Sequence, residues 1–420
     1  MSKKIVFKTF VTLIIIIFTV FLCKNFHKLS LVITSLTNVF KVSVYTEDLV
    51  VHNTHRGNAT YDTVSYTWDS ERQKHSWKYY NGLMMKAFLL NDSNKSYVDK
   101  FYDDNITEEG FVNSRRNRNN YYREGTLDDV APARTLFYLS DSPNAEKYKL
   151  NLQYVYYNLT QQPTLTNVGN NYIHKTNNNS WSKYPFGLDG LYMALPFTLE
   201  YEKYILKESN QETFDEVFRR MHWVAQNLRN PDGLYYHGVE KDGKTKNGYV
   251  WLRAVGWYAM AQIDIINLFP DGEQKDTLIA DLTSFFDAML KYQDPENGMW
   301  RNVVYENSEN LKCNYFESSG SAMMAYTLMY AYLKEYVKDK KYAYAGLKAF
   351  NGVVNKNLVR YGIDHYKLTY TYKSAIVNDS PERYCICANY VEDEAKGVAP
   401  LIMASGLVRK TLFKLLFNNY

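Results

Sequence analysis

The sequence predicts an all-α fold: a toroid of helical hairpins preceded by an N-terminal signal anchor. Three observations predict it. Apolar residues recur at i, i+3, i+4 and i+7 through most of the chain. Two of these helical runs end in the same turn signature, an internal echo. Strand-like alternation is confined to short candidates such as residues 367–372. Periodicity by itself leaves a solenoid or a bundle open beside the toroid.

At the N-terminus, Lys3, Lys4 and Lys8 precede or interrupt an apolar run from Phe10 to Cys23, and Lys24 closes it. A charged start followed by an apolar stretch directs a chain into the secretory pathway. Leu22-Cys23-Lys24 is a poor cleavage site, which favours an uncleaved signal anchor over a cleaved signal peptide for residues 1–24. The lysines then stay cytoplasmic, and the rest of the chain lies in the lumen or outside. Acceptor sequons at Asn58, Asn91, Asn94, Asn105, Asn158 and Asn178 suit that side, although an asparagine-rich chain makes several by chance. Residues 25–60 show no clear amphipathic period after Phe40 and read as a stalk and linker; residues 61–420 read as one barrel domain.

Helical stripes follow in order. Tyr80, Leu83, Met84, Ala87 and Phe88 make one; Val130, Ala133, Leu136, Phe137 and Ser140 make a less pure one. Phe214, Val217, Phe218, Met221, Ala225 and Leu228 keep the period closely, as do Leu278, Leu282, Phe285, Phe286, Met289 and Tyr292. Further runs lie near 254–268, 321–336, 342–354 and 398–415. The echo is Asn230-Pro231-Asp232-Gly233-Leu234-Tyr235 against Asp294-Pro295-Glu296-Asn297-Gly298-Met299-Trp300: Pro stops a helix, Gly turns the chain, an aromatic follows. Loops of roughly twenty residues then precede the next helix, a length that is usually functional.

Composition narrows the function. The 39 tyrosines suit a sugar-binding cleft, and equally suit packing between helices. A net charge of +4 without a basic patch interleaved with aromatics argues against nucleic acid; Arg115, Arg116 and Arg118 form only a short basic loop. Four cysteines and eight histidines show no zinc spacing, so no metal or cofactor is expected. Cys313 with either Cys385 or Cys387 is a candidate disulfide in an oxidising compartment. No feature points to a protein partner.

Four stretches carry chemistry. Asp189 sits between Gly187 and Gly190 at the start of a helical pattern, Gly187-Leu188-Asp189-Gly190-Leu191-Tyr192. Its plain reading is a helix cap; its functional reading is a proton donor. Asp128, in Leu127-Asp128-Asp129-Val130-Ala131-Pro132, offers the same choice. Tyr235-Tyr236-His237-Gly238 precedes Trp251-Leu252-Arg253-Ala254-Val255-Gly256-Trp257. Arg253 and Trp257 lie one helical turn apart, where a guanidinium can hold a carboxylate and an indole can stack on a sugar. The alternative is a core tryptophan with a snorkelling arginine. In Glu317-Ser318-Ser319-Gly320-Ser321, hydroxyls at a helix start can hold an anion or cap the helix.

These motifs resemble the unsaturated glucuronyl/rhamnogalacturonyl hydrolases of glycoside hydrolase families 88 and 105. Trp77-Lys78-Tyr79-Tyr80-Asn81-Gly82, the Asp128 and Asp189 motifs, Trp251 to Trp257, Tyr315 to Met323, and Ala395-Lys396-Gly397-Val398-Ala399-Pro400 occur in the family's order. The resemblance implies a six-hairpin (α/α) barrel acting on lyase-generated oligosaccharides that end in a 4,5-unsaturated uronic acid. It implies Asp189 as acid/base, and Asp128 as a second acid that raises the pKa of Asp189. It places His237 near the hydration centre. Trp251, Arg253, Trp257, Tyr79, Ser318, Ser319 and Lys396 become substrate-holding residues. Two positions depart from the pattern: Gly187 stands where the family often has Trp, and Val239-Glu240 where it commonly has Trp-Asp.

Three other readings compete. One is a membrane-tethered carbohydrate-binding protein that kept the barrel and lost turnover. Another is a type II glycosyltransferase using Asp103-Asp104 or Asp128-Asp129 as metal ligands, which requires βαβ alternation. The last is an (α/α)-barrel mannanase using Asp128-Asp129 as its acid pair.

Overall fold

A computed structural model of the protein describes residues 28–49, 77–90, 95–112, 126–176, 182–305, 307–363 and 365–417. The Phe10–Cys23 run, Arg115, Arg116, Arg118 and the sequons at Asn58, Asn91, Asn94 and Asn178 lie outside the described residues.

Helix α1 spans Lys28–Leu49. Then come α2 (Tyr79–Leu90), α3 (Lys95–Asn105), a 3-10 run at Ala131–Tyr138, α4 (Ala145–Thr160), α5 (Asp189–Tyr201) and α6 (Gln211–Asn227). They are followed by α7 (Leu252–Leu268), α8 (Glu273–Leu290), α9 (Ser318–Leu333), α10 (Lys340–Asn357) and α11 (Ala395–Phe417). Packing arranges them as a closed ring. The 3-10 run touches α2 and α5; α5 touches α7, α7 touches α9, α9 touches α11, and α11 returns to α2. Behind these inner elements stand α3, α4, α6, α8 and α10, each beside its inner neighbour in sequence. This is the toroid of hairpins.

The two rings differ physically. Outer helices α6 and α8 bury one face, which is why their stripes are clean. Inner helices α2, α7 and α9 are buried nearly all round, so no single stripe marks them. The Val130 stripe forms a 3-10 run instead of the expected α-helix, with Ala131 to Phe137 all buried. A 3-10 stretch of that length is uncommon. It lies tight against α2: a Cβ on Gly82 would stand 2.4 Å from Pro132 Cα.

Charge ties the ring together deep inside. The Arg134 guanidinium donates to both oxygens of Glu200, at 2.8 and 2.7 Å, and to Asp264 at 2.8 Å. Lys86 donates to the same Asp264 oxygen at 2.8 Å. The four side chains come from α2, the 3-10 run, α5 and α7. Buried charges persist only when matched and hydrogen-bonded in this way.

The expected stalk at 25–60 requires correction. Within it, α1 docks on the barrel as the outer partner of the last hairpin. Asn38 donates to Asn351 on α10 at 2.9 Å, and the Asn351 amide donates to Ser35 at 2.9 Å. Tyr45 donates to Asp393, just before α11, at 2.5 Å, and Asp48 pairs with His365 at 3.1 Å. The inward face of α1 mixes Ser35, Asn38 and Asp48 with Val42, Tyr45 and Leu49, so no clean apolar period announced it. By length and composition α1 is also apolar enough to cross a membrane.

Strands among the described residues form only two-stranded antiparallel ladders: β1 (Thr164–Leu165) with β2 (Asn171–Tyr172), β3 (Phe186–Gly187) with β4 (Gly238–Val239), β5 (Leu358–Arg360) with β6 (Tyr366–Leu368), and β7 (Thr371–Tyr372) with β8 (Tyr390–Val391). These ladders do not build the nucleotide-binding sheet a glycosyltransferase reading needs. Asn105 is fully buried and donates to Phe101 O, so its sequon is closed to a glycan in the folded chain. Cys313 is bonded to Cys387, and Cys385 is free and buried.

Truncation tests the place of α1. A chain begun at residue 61 should lose several degrees of melting temperature or fail to fold, since each orphaned buried partner costs about 1–3 kcal/mol. A chain begun at residue 25 should melt like the full protein; thermal unfolding distinguishes the two.

Candidate active site

The inner elements run in the same direction, and the motif residues lie at their starts. Tyr79 and Asp189 are the first residues of α2 and α5; Ser318 and Ser319 open α9; Arg253 and Lys396 are second in α7 and α11. Asp128 lies in the 3-10 turn Leu127–Asp129, just ahead of the inner 3-10 run. Parallel packing therefore gathers residues spread over more than three hundred positions at one mouth. The N–H ends of the inner helices converge there, which favours negative charge.

Asp189 does not cap its helix. Its Oδ2 lies 2.9 Å from His237 Nε2. The β3–β4 ladder makes this contact: Gly187 pairs with Gly238, and Leu188 N–H donates to His237 O at 3.0 Å. That register sets residue 189 beside residue 237. On the far side of the imidazole, Nδ1 lies 2.8 Å from the Tyr384 hydroxyl. That hydroxyl oxygen already accepts from Asn378 N–H at 2.8 Å and the Asn247 amide at 3.3 Å. Its proton has two acceptors, His237 Nδ1 at 2.8 Å and Asn378 O at 3.4 Å; the shorter contact places it on Nδ1, which leaves the imidazole proton on Nε2, aimed at Asp189. The result is a hydrogen-bonded chain from Tyr384 through His237 to Asp189.

Burial alone would raise the Asp189 carboxyl, but the hydrogen bond and charge of His237, with help from His174 and Arg253, hold it below its usual value. Asp128 has its own partners. Its oxygens lie 3.2 Å from His174 Nε2 and 2.6 Å from Lys175 Nζ. Burial opposes ionisation there too, yet the His174 and Lys175 contacts hold it well below the usual carboxylate range. The expectation that Asp128 keeps Asp189 protonated through like-charge repulsion is therefore corrected: each acid has a separate cationic or hydrogen-bonding partner. Gly190 makes room for this arrangement, since a Cβ there would stand 3.0 Å from His174 Nδ1.

Arg253 is fixed from behind. It lies 3.8 Å from Glu317, donates to Ser319 Oγ at 3.2 Å and to Tyr372 O, and its guanidinium lies over the Trp251 ring at 4.5 Å. Glu317 caps α9 by accepting from Gly320 N–H at 2.7 Å, and also accepts from Ser319 Oγ and Tyr372 N–H. Trp251 packs on His237 at 5.1 Å between ring centroids, with its indole N–H on Asn302. Trp257 is buried against Tyr192 and Tyr79. Tyr79 is partly exposed and feels Asp128, Arg253, Glu394 and Asp189 together; burial first, then Asp128, pushes its hydroxyl well up.

Lys396 is buried, 3.0 Å from Glu394 Oε1, and donates to Lys373 O at 2.5 Å. Burial first, with Arg253 adding, brings its ammonium down to about 8, against the pull of Glu394. Ser318 stands apart from the cluster: its hydroxyl donates to Thr369 O and accepts from Asn357. Ser319 is equally buried and braces Arg253. Among the described residues, no His, Cys, Asp and Glu side chains gather in a group of three that could hold a metal ion. A cavity of about 250 Å³ lined by Lys86, Leu89, Leu90, Lys95 and Tyr138 opens at the other end of the barrel, away from the two acids.

Sequence reasoning missed His174, Lys175, Glu317, Glu394 and Tyr384. Glu317 stands inside a quoted motif without having been given a role, and Glu394 immediately precedes another; both were within reach. His174, Lys175 and Tyr384 lie in loops whose local pattern carries no signal.

Fold and mouth together define the class: a helical-toroid glycoside hydrolase. The chain belongs to Glycosyl Hydrolase Family 88, whose pattern matches residues 54–412. The 24.9 kDa protein of the picA locus of Rhizobium radiobacter is 29% identical over 234 residues, 50% of this chain and 96% of that protein. The family 105 glycoside hydrolase of C. acetobutylicum ATCC 824 superposes with a TM-score of 0.72 at 24% identity, covering 87% of this chain and 99% of that one. The unsaturated glucuronyl hydrolase of Bacillus sp. GL1 superposes with a TM-score of 0.61 at 11% identity, covering 92% and 97%. At these identities the superpositions show the shared fold.

Two outcomes follow from the hydrogen-bonded chain and its neighbour. Tyr384→Phe strips Nδ1 of its donor, so the imidazole proton redistributes and the Asp189 titration, read by carbon NMR of the carboxyl, should move up. A purely structural tyrosine would lower the melting temperature and leave that titration in place. Asp128, with its folded pKa depressed, contributes stability above the ordinary aspartate value of about 3.9 and loses it as pH falls through the depressed value. Asp128→Asn should therefore unfold at lower denaturant than wild type at neutral pH, with the gap closing in acid.

Proposed function

We infer that this hydrolase removes a 4,5-unsaturated uronic acid from the non-reducing end of lyase-generated oligosaccharides, with rhamnogalacturonan-type fragments favoured. The observation that supports this most is the Asp189–His237–Tyr384 hydrogen-bonded chain at a mouth backed by Arg253. Asp189 is held on one oxygen by His237, which suits one acid protonating a double bond, while both oxygens of Asp128 are engaged by His174 and Lys175, unlike the second working carboxyl that ordinary glycoside hydrolysis requires. The unsaturated glucuronyl hydrolase of Bacillus sp. GL1, responsible for the degradation of glycosaminoglycan, works in the same chemical territory.

In this reading Arg253 and the helix N-termini hold the uronate carboxylate, while Tyr79, Trp251 and Trp257 shape the pocket around the ring. Arrival of that carboxylate beside Asp189, with loss of water, raises the Asp189 pKa, so Asp189 takes up a proton from solvent as substrate binds, while His237 Nε2–H holds its other oxygen. Asp189 protonates C4 of the enol ether. Water adds at C5, giving up its proton to the Asp189 carboxylate. The C5 hemiketal opens, and C1 expels the leaving sugar. Residues 1–24 tether the enzyme to a membrane of the secretory pathway, with the barrel on the luminal or outer side.

Ultraviolet absorbance of the conjugated double bond tests the reading, using the purified full chain on a panel of lyase products. Wild type should abolish the absorbance, and Asp189→Asn should slow it by about 10²–10⁴-fold. Sugars that raise the melting temperature without being consumed would point instead to a binding protein with a lost reaction.

A further inference from the structure

Over its first half helix α1 carries apolar residues on both sides: Leu31, Val32 and Val39 pack toward the core, and a second set faces out. Its inward face carries Ser35 and Asn38, both buried, while Leu29, Ile33, Leu36 and Phe40 line the outward face. Leu29, Ile33 and Phe40 are each more than half exposed. Single exposed apolar residues are ordinary, but a stripe about 17 Å long on one face is not. Further along, the same face turns polar at Ser43 and Glu47.

The ring fixes where this stripe lies. Tyr45 and Asp48 touch loops on the mouth side, so Lys28 is at the base of the barrel. The inner helices end at that base. Phe413 and Phe417, near the end of α11, are both more than half exposed, and Arg409 and Lys410 stand exposed before them. Closure of the ring leaves α1 the outer position behind α11, so both patches lie on one flank of the base.

The occupant is indicated by the chain ahead of α1. The apolar run ends at Cys23, and the link to Lys28 reaches at most about 17 Å when fully extended. A run held in a bilayer delivers the base of α1 to the membrane surface. An apolar stripe flanked by exposed cations suits the boundary between acyl chains and acidic headgroups.

We propose that the outward face of α1 from Leu29 to Phe40, with Phe413 and Phe417 of α11, seats on a lipid surface and lays this flank of the barrel along the membrane. This rests on the tether reading above and adds an orientation to it. The stripe runs along the mouth-to-base axis, so the mouth then opens sideways, along the bilayer surface, where polymer fragments can enter.

Spin labels test it on the full chain in vesicles of phosphatidylcholine and phosphatidylserine. Cysteines replace Phe40, Phe413 or, as a mouth-side control, Lys183, in a chain carrying Cys23→Ser and Cys385→Ser. Labels at Phe40 and Phe413 should collide severalfold more with lipid-dissolved oxygen, relative to an aqueous nickel chelate, than the Lys183 label. Ile33→Glu in the Phe40 background should reverse that ratio while hydrolysis continues. If the chain floats with the vesicles and all labels are equally wet, the tether stands and the docking face is overturned. If the chain does not float, the tether fails and the proposal fails with it. If the labels are protected without vesicles and the mass doubles, a second copy covers the face, which also overturns it.

Discussion

The structure depends on one constraint: every inner element of the ring runs from mouth to base. A helix carries its free N–H groups and partial positive charge at its start. Pointing the inner elements the same way stacks those ends around one opening. The same choice puts the free carbonyls together at the base. There Lys86 and Arg134 lie among Glu200 and Asp264, and the buried charges are matched. Outer helices run back between the inner ones, so every long connection surfaces where the chemistry is.

Within that frame, the acids are distinguished by their partners. Both are held below their ordinary values, but by different groups: His237 for Asp189, His174 and Lys175 for Asp128. The free site therefore rests ionised. His237 Nε2–H holds one Asp189 oxygen and leaves the other for the mouth. Tyr384 reaches His237 from the segment 373–391, which the Cys313–Cys387 bond ties to the loop before α9. Carbonyls of Tyr372 and Lys373 at its edge receive Arg253 and Lys396. This segment is the wall on which the cationic side of the mouth is braced.

The departures at Gly187 and Val239 find a structural setting here. Gly187 faces Gly238 across the β3–β4 ladder, and Phe186 faces Val239. A Cβ on Gly238 would stand 2.4 Å from Phe186 O. The ladder is pressed tight so that Leu188 can hold His237, and a short side chain at 187 belongs to that arrangement.

Much of this was legible in the sequence. The clean stripes of α6 and α8 show their faces because outer helices have one wet side. Asp189 and Arg253 announce themselves because helix starts carry local signatures in glycine, aspartate and aromatic residues, whereas Tyr79 and Lys396 stood out only through the family resemblance. What local pattern could not supply were pairings across distance. His237 meets Asp189 through a two-residue ladder, Tyr384 meets His237 from 147 positions away, and Lys175 meets Asp128 across a single bridge. Helix α1 was hidden for a related reason: its inward face mixes Val42 and Leu49 with Ser35, Asn38, Tyr45 and Asp48, whose value depends on partners elsewhere in the chain. The sequence by itself determined most of the barrel helices and the starts that carry Asp189 and Arg253. Only the tertiary structure decided which side chain holds which, because a hydrogen bond depends on distance and direction in space, and spacing along the chain encodes neither.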